Sequence, residues 1–99
     1  MVYVCRGSAC RKPPERGDVI ACLDRVAIVC SVKCQGICKG VVIGTDVDGR
    51  CEWFARVRRP KTVRALVRWL RRRGPIPGRV ERRRLPKRSG RRPKGGAFA

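Results

Sequence analysis

Short β-forming runs and two helically spaced segments alternate over the first 73 residues, after which the apolar periodicity stops. Val2-Tyr3-Val4 predicts a short strand. Pro13-Pro14-Glu15 suits a helix entry, because Pro is tolerated in the first turn and an acid is favoured there. Val19, Leu23 and Val26 follow at i, i+4 and i+7 with Ile20 beside them, which predicts a short amphipathic helix from Glu15 to Asp24. Ala27-Ile28-Val29-Cys30-Ser31-Val32 predicts a second strand and Val41-Val42-Ile43 a third. Asp48-Gly49 is a two-residue hairpin signal, with Cys51 to Val57 as the returning strand. Pro60 opens a second helix, in which Val63, Leu66, Val67 and Leu70 form the stripe and Trp69 lies on its flank; Gly74-Pro75 ends it. The order β-α-β-β-α predicts an α+β sandwich, one four-stranded sheet covered by two helices. Past Gly74, only Ile76, Val80, Leu85 and Phe98 offer anchoring groups among Pro, Gly, Arg and Lys. Residues 74–99 therefore read as an irregular basic extension to a domain spanning residues 1–73.

Charge sharpens that division. The net charge is +19, but residues 1–55 hold eight Lys/Arg against six Asp/Glu, while residues 56–99 hold eighteen against Glu81 alone. A near-neutral half followed by a strongly basic one implies two roles. Arg64, Arg68, Arg71 and Arg72 are expected on the exposed face of the second helix. That face and the extension suit polyanions, such as nucleic acid, anionic lipid or an acidic redox partner. No nucleic-acid recognition motif accompanies the charge, so such binding is expected to be non-specific. At 99 residues, 42% of them hydrophobic, the chain suffices for one small domain near the lower limit of self-sufficient cores. No apolar run reaches the length of a membrane span, and no export signal opens the sequence, which predicts a cytoplasmic protein.

Seven cysteines and no histidine set the candidate chemistry. The odd number fits poorly with a closed disulfide framework, and reduced thiols are expected. Cys5 and Cys10 are separated by four residues, Cys34 and Cys38 by three, and each pair follows a predicted strand. Two loops that each deliver two sulfurs make a four-thiolate site, of the kind that holds an iron–sulfur cluster or a structural zinc. Gly7 and Gly36 permit the turns that aim sulfurs inward. The third cysteine of a plant-type ferredoxin and the C-x-x-C pair of a dithiol oxidoreductase are both missing. Cys22 in a helix, and Cys30 and Cys51 in strands, read as small core hydrophobes, as do Trp53, Phe54 and Trp69 as packing residues.

Cys5-Arg6-Gly7-Ser8-Ala9-Cys10-Arg11-Lys12 and Cys34-Gln35-Gly36-Ile37-Cys38-Lys39-Gly40-Val41-Val42 resemble the thioredoxin-like 2Fe–2S ferredoxins. That family includes the Shethna-type proteins and the small cluster-bearing subunit of bacterial NADH dehydrogenase. The resemblance extends through Asp48-Gly49, Trp53-Phe54 and the helix at Thr62–Arg73, covering roughly residues 2–73. It implies a thioredoxin-like fold, a 2Fe–2S cluster ligated by Cys5, Cys10, Cys34 and Cys38, and a non-enzymatic one-electron carrier working between redox partner proteins. It also implies a homodimer. Lys12, Lys33 and Lys39 lie near the pairs and would offset cluster charge. The alternative left by the spacing is a structural zinc module whose basic tail binds nucleic acid.

Overall fold

A computed structural model of the protein describes residues 1–7, 12–33, 35, 40–92 and 97–98. It is a small mixed α/β domain. The elements are β1 (Val2–Cys5), α1 (Arg16–Asp24), β2 (Val29–Val32), β3 (Ile43–Val47), β4 (Arg50–Phe54), α2 (Pro60–Arg72), α3 (Gly78–Glu81), a 3-10 turn (Pro86–Arg88) and β5 (Ala97–Phe98). The strands lie in the order β4-β3-β1-β2-β5. β1 and β2 are parallel, with Val2 opposite Val29 and Cys5 opposite Val32; β3 is antiparallel to both β1 and β4. β5 adds two residues antiparallel to the end of β2, at Ser31 and Val32.

The β3–β4 hairpin turns on Asp48 (φ 51°) and Gly49 (φ 81°). Two consecutive left-handed residues match the right-handed twist of the flanking strands. The third strand lies further along than the sequence predicts, at Ile43–Val47 instead of Val41–Ile43. Gly44 and Asp46 are poor strand formers, but Gly44 is demanded here by packing. Its neighbours across the sheet are Tyr3 and Trp53, whose rings meet at 6.3 Å between centroids. A Cβ at Gly44 would lie 2.7 Å from Trp53 Cζ3. The indole occupies the space a side chain would fill.

All four residues of β1 are buried, so both faces of the sheet are covered. On one face Val2, Val4, Ile43 and Phe54 pack against Val19 and Leu23 of α1 and Val63, Leu66, Trp69 and Leu70 of α2. Phe54 and Trp69 meet edge to face at 6.3 Å. Trp69, not Val67, completes the buried stripe of α2; Val67 is half-buried. On the other face Tyr3, Cys5, Cys30, Val32, Val42, Cys51, Trp53 and Ala55 form a second cluster, with Leu85 packed on it.

Leu85 belongs to the segment expected to be irregular, and over residues 74–92 that expectation is corrected. Val80 of α3 is fully buried in the first core, and Ile76 packs beside it. The chain then runs along β4: Ala55 donates to the Arg83 carbonyl (2.9 Å), Leu85 to Trp53 (2.8 Å) and Gly90 to Cys51 (2.8 Å). The Trp53 indole donates to the Arg91 carbonyl at 2.8 Å. Backbone groups of an otherwise open edge strand are thereby paired. Glu52, 2% exposed, locks the contact. Its carboxylate accepts from Arg84 Nη2 at 3.0 Å and from the Ser89 hydroxyl at 2.5 Å. Arg84 also reaches Glu81 at 3.2 Å. These carboxylates raise the Arg84 pKa further above its ordinary value, through the Glu52 hydrogen bond foremost. A few well-placed anchors outweigh the polar composition that made the segment look unstructured.

Two glycines separate close packing from ordinary helix propensity. Gly44→Ala is expected to destabilise by about 1–3 kcal/mol, since the Trp53 ring must move. Gly17→Ala, in α1 with nothing within 4 Å of the point where a Cβ would sit, is expected to stabilise by up to about 1 kcal/mol. Guanidinium unfolding midpoints check both. Arg84→Ala is expected to cost about 1–3 kcal/mol by depriving the buried Glu52 carboxylate of a charged donor. It should also raise amide hydrogen exchange at Leu85 and Gly90.

Candidate functional site

The parallel pairing of β1 with β2 sends the loops that follow them off the same edge of the sheet. Cys5 ends β1 there, fully buried. Its backbone N–H donates to Val42 (3.1 Å), and the next amide, Arg6, donates to Val32 (2.9 Å). Its sulfur accepts from the Gly7 N–H at 3.5 Å and lies 3.8 Å from the Lys33 carbonyl, to which the thiol donates. Gln35 is buried and donates to that same carbonyl at 2.5 Å. The bases of the two cysteine-bearing loops are thus joined through Lys33, with Cys5 between β2 and the returning chain at Val42.

Of the four predicted ligands, only Cys5 is described; Cys10, Cys34 and Cys38 lie outside the described residues, as do Gly36 and Lys39. Among the described residues, no group of three or more His, Cys, Asp or Glu is gathered as a metal would require. Cys5 itself fits a thiophilic metal. It is a soft donor shielded from water, and the Gly7 N–H would stabilise its thiolate form. Ligation would remove the thiol proton and with it the bond to Lys33. Lys12 and Lys33 are exposed, where their charge faces solvent close to this edge in sequence.

The other described cysteines divide by burial. Cys30 and Cys51 lie within the second core, as the sequence predicts, whereas Cys22 is half-buried. Burial, reinforced by the Asp46 carboxylate, pushes the Cys51 thiol up from 9.0 to about 11; Arg92 opposes the shift and Glu52 adds to it. Such a thiol is neutral and unreactive at neutral pH. Trp53, Phe54 and Trp69 are buried packing residues. Sequence reasoning missed two features: Gln35, a polar side chain buried at the loop base, and a groove between α1 and α2 that Cys22 helps to line. Half-burial of Val67 is what opens that groove, and helical spacing alone does not distinguish it from Leu66. Among the described residues, no helix is long and apolar enough to cross a membrane.

No protein-family model, curated protein or solved structure matches this chain.

The Cys51 shift has a pH signature. In the unfolded chain this thiol ionises near 9, while in the fold it keeps its proton to about 11. The unfolded state therefore loses the proton first, so the stabilisation is complete below pH 9 and declines as pH rises through about 11. Over that window the wild-type protein is expected to lose more stability than Cys51→Ala. Urea midpoints of both proteins at the two pH limits measure the difference.

Proposed function

We propose that the protein is a thioredoxin-like 2Fe–2S electron carrier, with Cys5, Cys10, Cys34 and Cys38 as the cluster ligands. The observation that carries this reading is the register of the parallel pair: Cys5 lies opposite Val32, and Cys34 follows Val32 by two residues in sequence. The chain that leads on to Cys34 in sequence therefore leaves β2 beside Cys5. The strand order β4-β3-β1-β2, with β3 antiparallel to its neighbours and helices following β1 and β4, supports a thioredoxin-like reading of the fold.

A bound cluster would supply the exchangeable electron. The polypeptide's share is to exclude water from Cys5, to present the Gly7 N–H to its sulfur, and to place lysine charge near the site. Hydrogen bonds to sulfur and nearby positive charge both raise the reduction potential of a thiolate cluster. No bond-making chemistry is asked of any side chain, so the protein acts on redox partners as a carrier, not as an enzyme. A reducing cytoplasm is the setting in which four reduced cysteines would fill with a cluster, and a homodimer would add apolar burial to a short chain.

Anaerobic purification followed by metal and sulfide analysis tests the reading. The expected product is red-brown, with iron and acid-labile sulfide in equal amounts. Cys34→Ser is expected to bleach it, whereas Cys22→Ser and Cys51→Ala leave the visible spectrum in place. A colourless protein carrying one zinc per chain would overturn the electron-carrier assignment and favour the structural zinc module.

A further inference from the structure

We infer that the groove between α1 and α2 is a docking site for an acidic amphipathic helix of a partner protein. The groove has a volume of about 760 Å³. Its floor is apolar, made by Cys22 near the end of α1, Val26 just past it, and Val63 and Val67 of α2. Its rim is formed by Arg25, Arg64, Arg68, Arg71 and Arg72. Among the described residues, no acid lines it.

Three observations select the occupant. First, charge complementarity is unmet. Among the described residues none of the five rim arginines makes an ion pair, although Arg84 and Arg92 find Glu52, Glu81 and Asp46 elsewhere. Arg64, Arg68 and Arg72 recur at i, i+4 and i+8 and repel one another along one face of α2. Second, the floor leaves Val26, Val67 and Cys22 half-buried, a row of small apolar groups in a concavity between two helices. Such a trough suits apolar side chains spaced i, i+3, i+4 and i+7 on an incoming helix, whose flanking carboxylates would meet the arginines. Third, no aromatic side chain among the described residues lines the groove. The phosphates of a nucleic acid would find arginine partners on the rim, but its bases would find no stacking surface between them. The apolar floor favours a protein segment over a polynucleotide.

Position makes the groove separate from the cysteine site. Val26 leads into the start of β2, and Arg73, just past α2, donates to the Asp46 carbonyl near the end of β3. Both lie at the end of the sheet opposite Cys5, which closes β1. None of Cys5, Gly7, Lys33 and Gln35 lines the groove. The inference is therefore independent of whether the thiolates hold iron, zinc or neither.

Fluorescence anisotropy on the full-length protein tests it, with a labelled synthetic helix of about 18 residues, leucine on one face and glutamate on the other. The comparison is a scrambled peptide of identical composition, in about 150 mM salt to suppress non-specific attraction. The patterned peptide is expected to bind roughly tenfold or more tightly than the scramble. Arg64→Ala/Arg68→Ala should weaken binding by about tenfold or more, and Lys87→Ala/Arg88→Ala, which removes the same charge elsewhere, by about twofold or less. Val67→Thr, which keeps the branched shape but places a hydroxyl on the floor, should weaken it several-fold while leaving the far-ultraviolet circular dichroism unchanged. Equal binding of scramble and pattern, or equal effects of the two charge-removal variants, would overturn the inference. So would a single-stranded oligonucleotide of matched charge that binds more tightly through Arg64 and Arg68.

Discussion

The parallel pairing of β1 with β2 is the constraint on which the rest of the structure depends. Parallel neighbours cannot be joined by a tight turn; they need a crossover of a dozen or more residues, commonly a helix. Here α1 is that crossover, so its position over the sheet follows from the pairing. The same pairing sends the chain leaving β1 after Cys5 and the chain leaving β2 after Val32 off one end of the sheet, with Cys5 in register with Val32. An antiparallel arrangement would send the loops to opposite ends and separate the sulfurs by the length of a strand. Topology, more than any single contact, makes a shared site feasible.

A central strand buried on both sides then sets a second requirement. α1 and α2 cover one face, and among the described residues the C-terminal segment packs on the other. That segment is anchored by Val80 in the first core, Leu85 on the second, and the Arg84–Glu52–Ser89 cluster at the β4 edge. Glu52 is costly to bury unless its oxygens are satisfied, and the residues that satisfy it both come from the segment. The acid thus makes attachment of the extension a condition of folding well, and the extension in turn protects the hairpin's open edge. Arg91 is at the β4 edge and Ala97 at the β2 edge, so the covering segment meets both sides of the sheet.

Much of this is legible in the residues, with failures that have physical causes. Asp48-Gly49 marks the hairpin because few other pairs accept two left-handed residues. Pro60 and the spacing of Val63, Leu66 and Leu70 place α2 within a residue or two. The third strand is displaced because Gly44 looks like a strand breaker until Trp53 is seen lying across it. Segment 74–92 looks irregular because its fixation depends on long-range partners, Glu52 and Trp53, that no local window contains. For the candidate site, cysteine spacing and the strands before each pair are visible in the sequence. The burial of Cys5 and the role of Lys33 as a common acceptor are tertiary facts. Val67 is the subtlest case: its spacing matches the buried stripe, yet Trp69 takes the core position and leaves Val67 to the groove.

The basic half of the chain consequently contains two populations of arginine with different physical status. Arg73, Arg84 and Arg92 have partners: Arg73 lies 5.3 Å over the Trp69 ring and bonds the Asp46 carbonyl, Arg84 bridges Glu52 and Glu81, and Arg92 approaches Asp46 at 3.9 Å. Those around the α1–α2 groove have none among the described residues. The exposed Arg92–Asp46 contact is worth little to stability, whereas the Arg84 contact holds a buried acid. Uniform composition therefore conceals a division of labour. With the described acids of the sheet's far edge drawn to the extension, the α2 rim keeps its full positive charge beside an apolar floor. Self-repulsion on that rim is tolerated because the buried stripe of α2, from Val63 to Leu70, supplies the helix's stability independently of its exposed face. The rim arginines make no ion pair among the described residues, so that part of the surface is free to be shaped by what it binds, and the groove it borders combines unmet charge with unfilled apolar space.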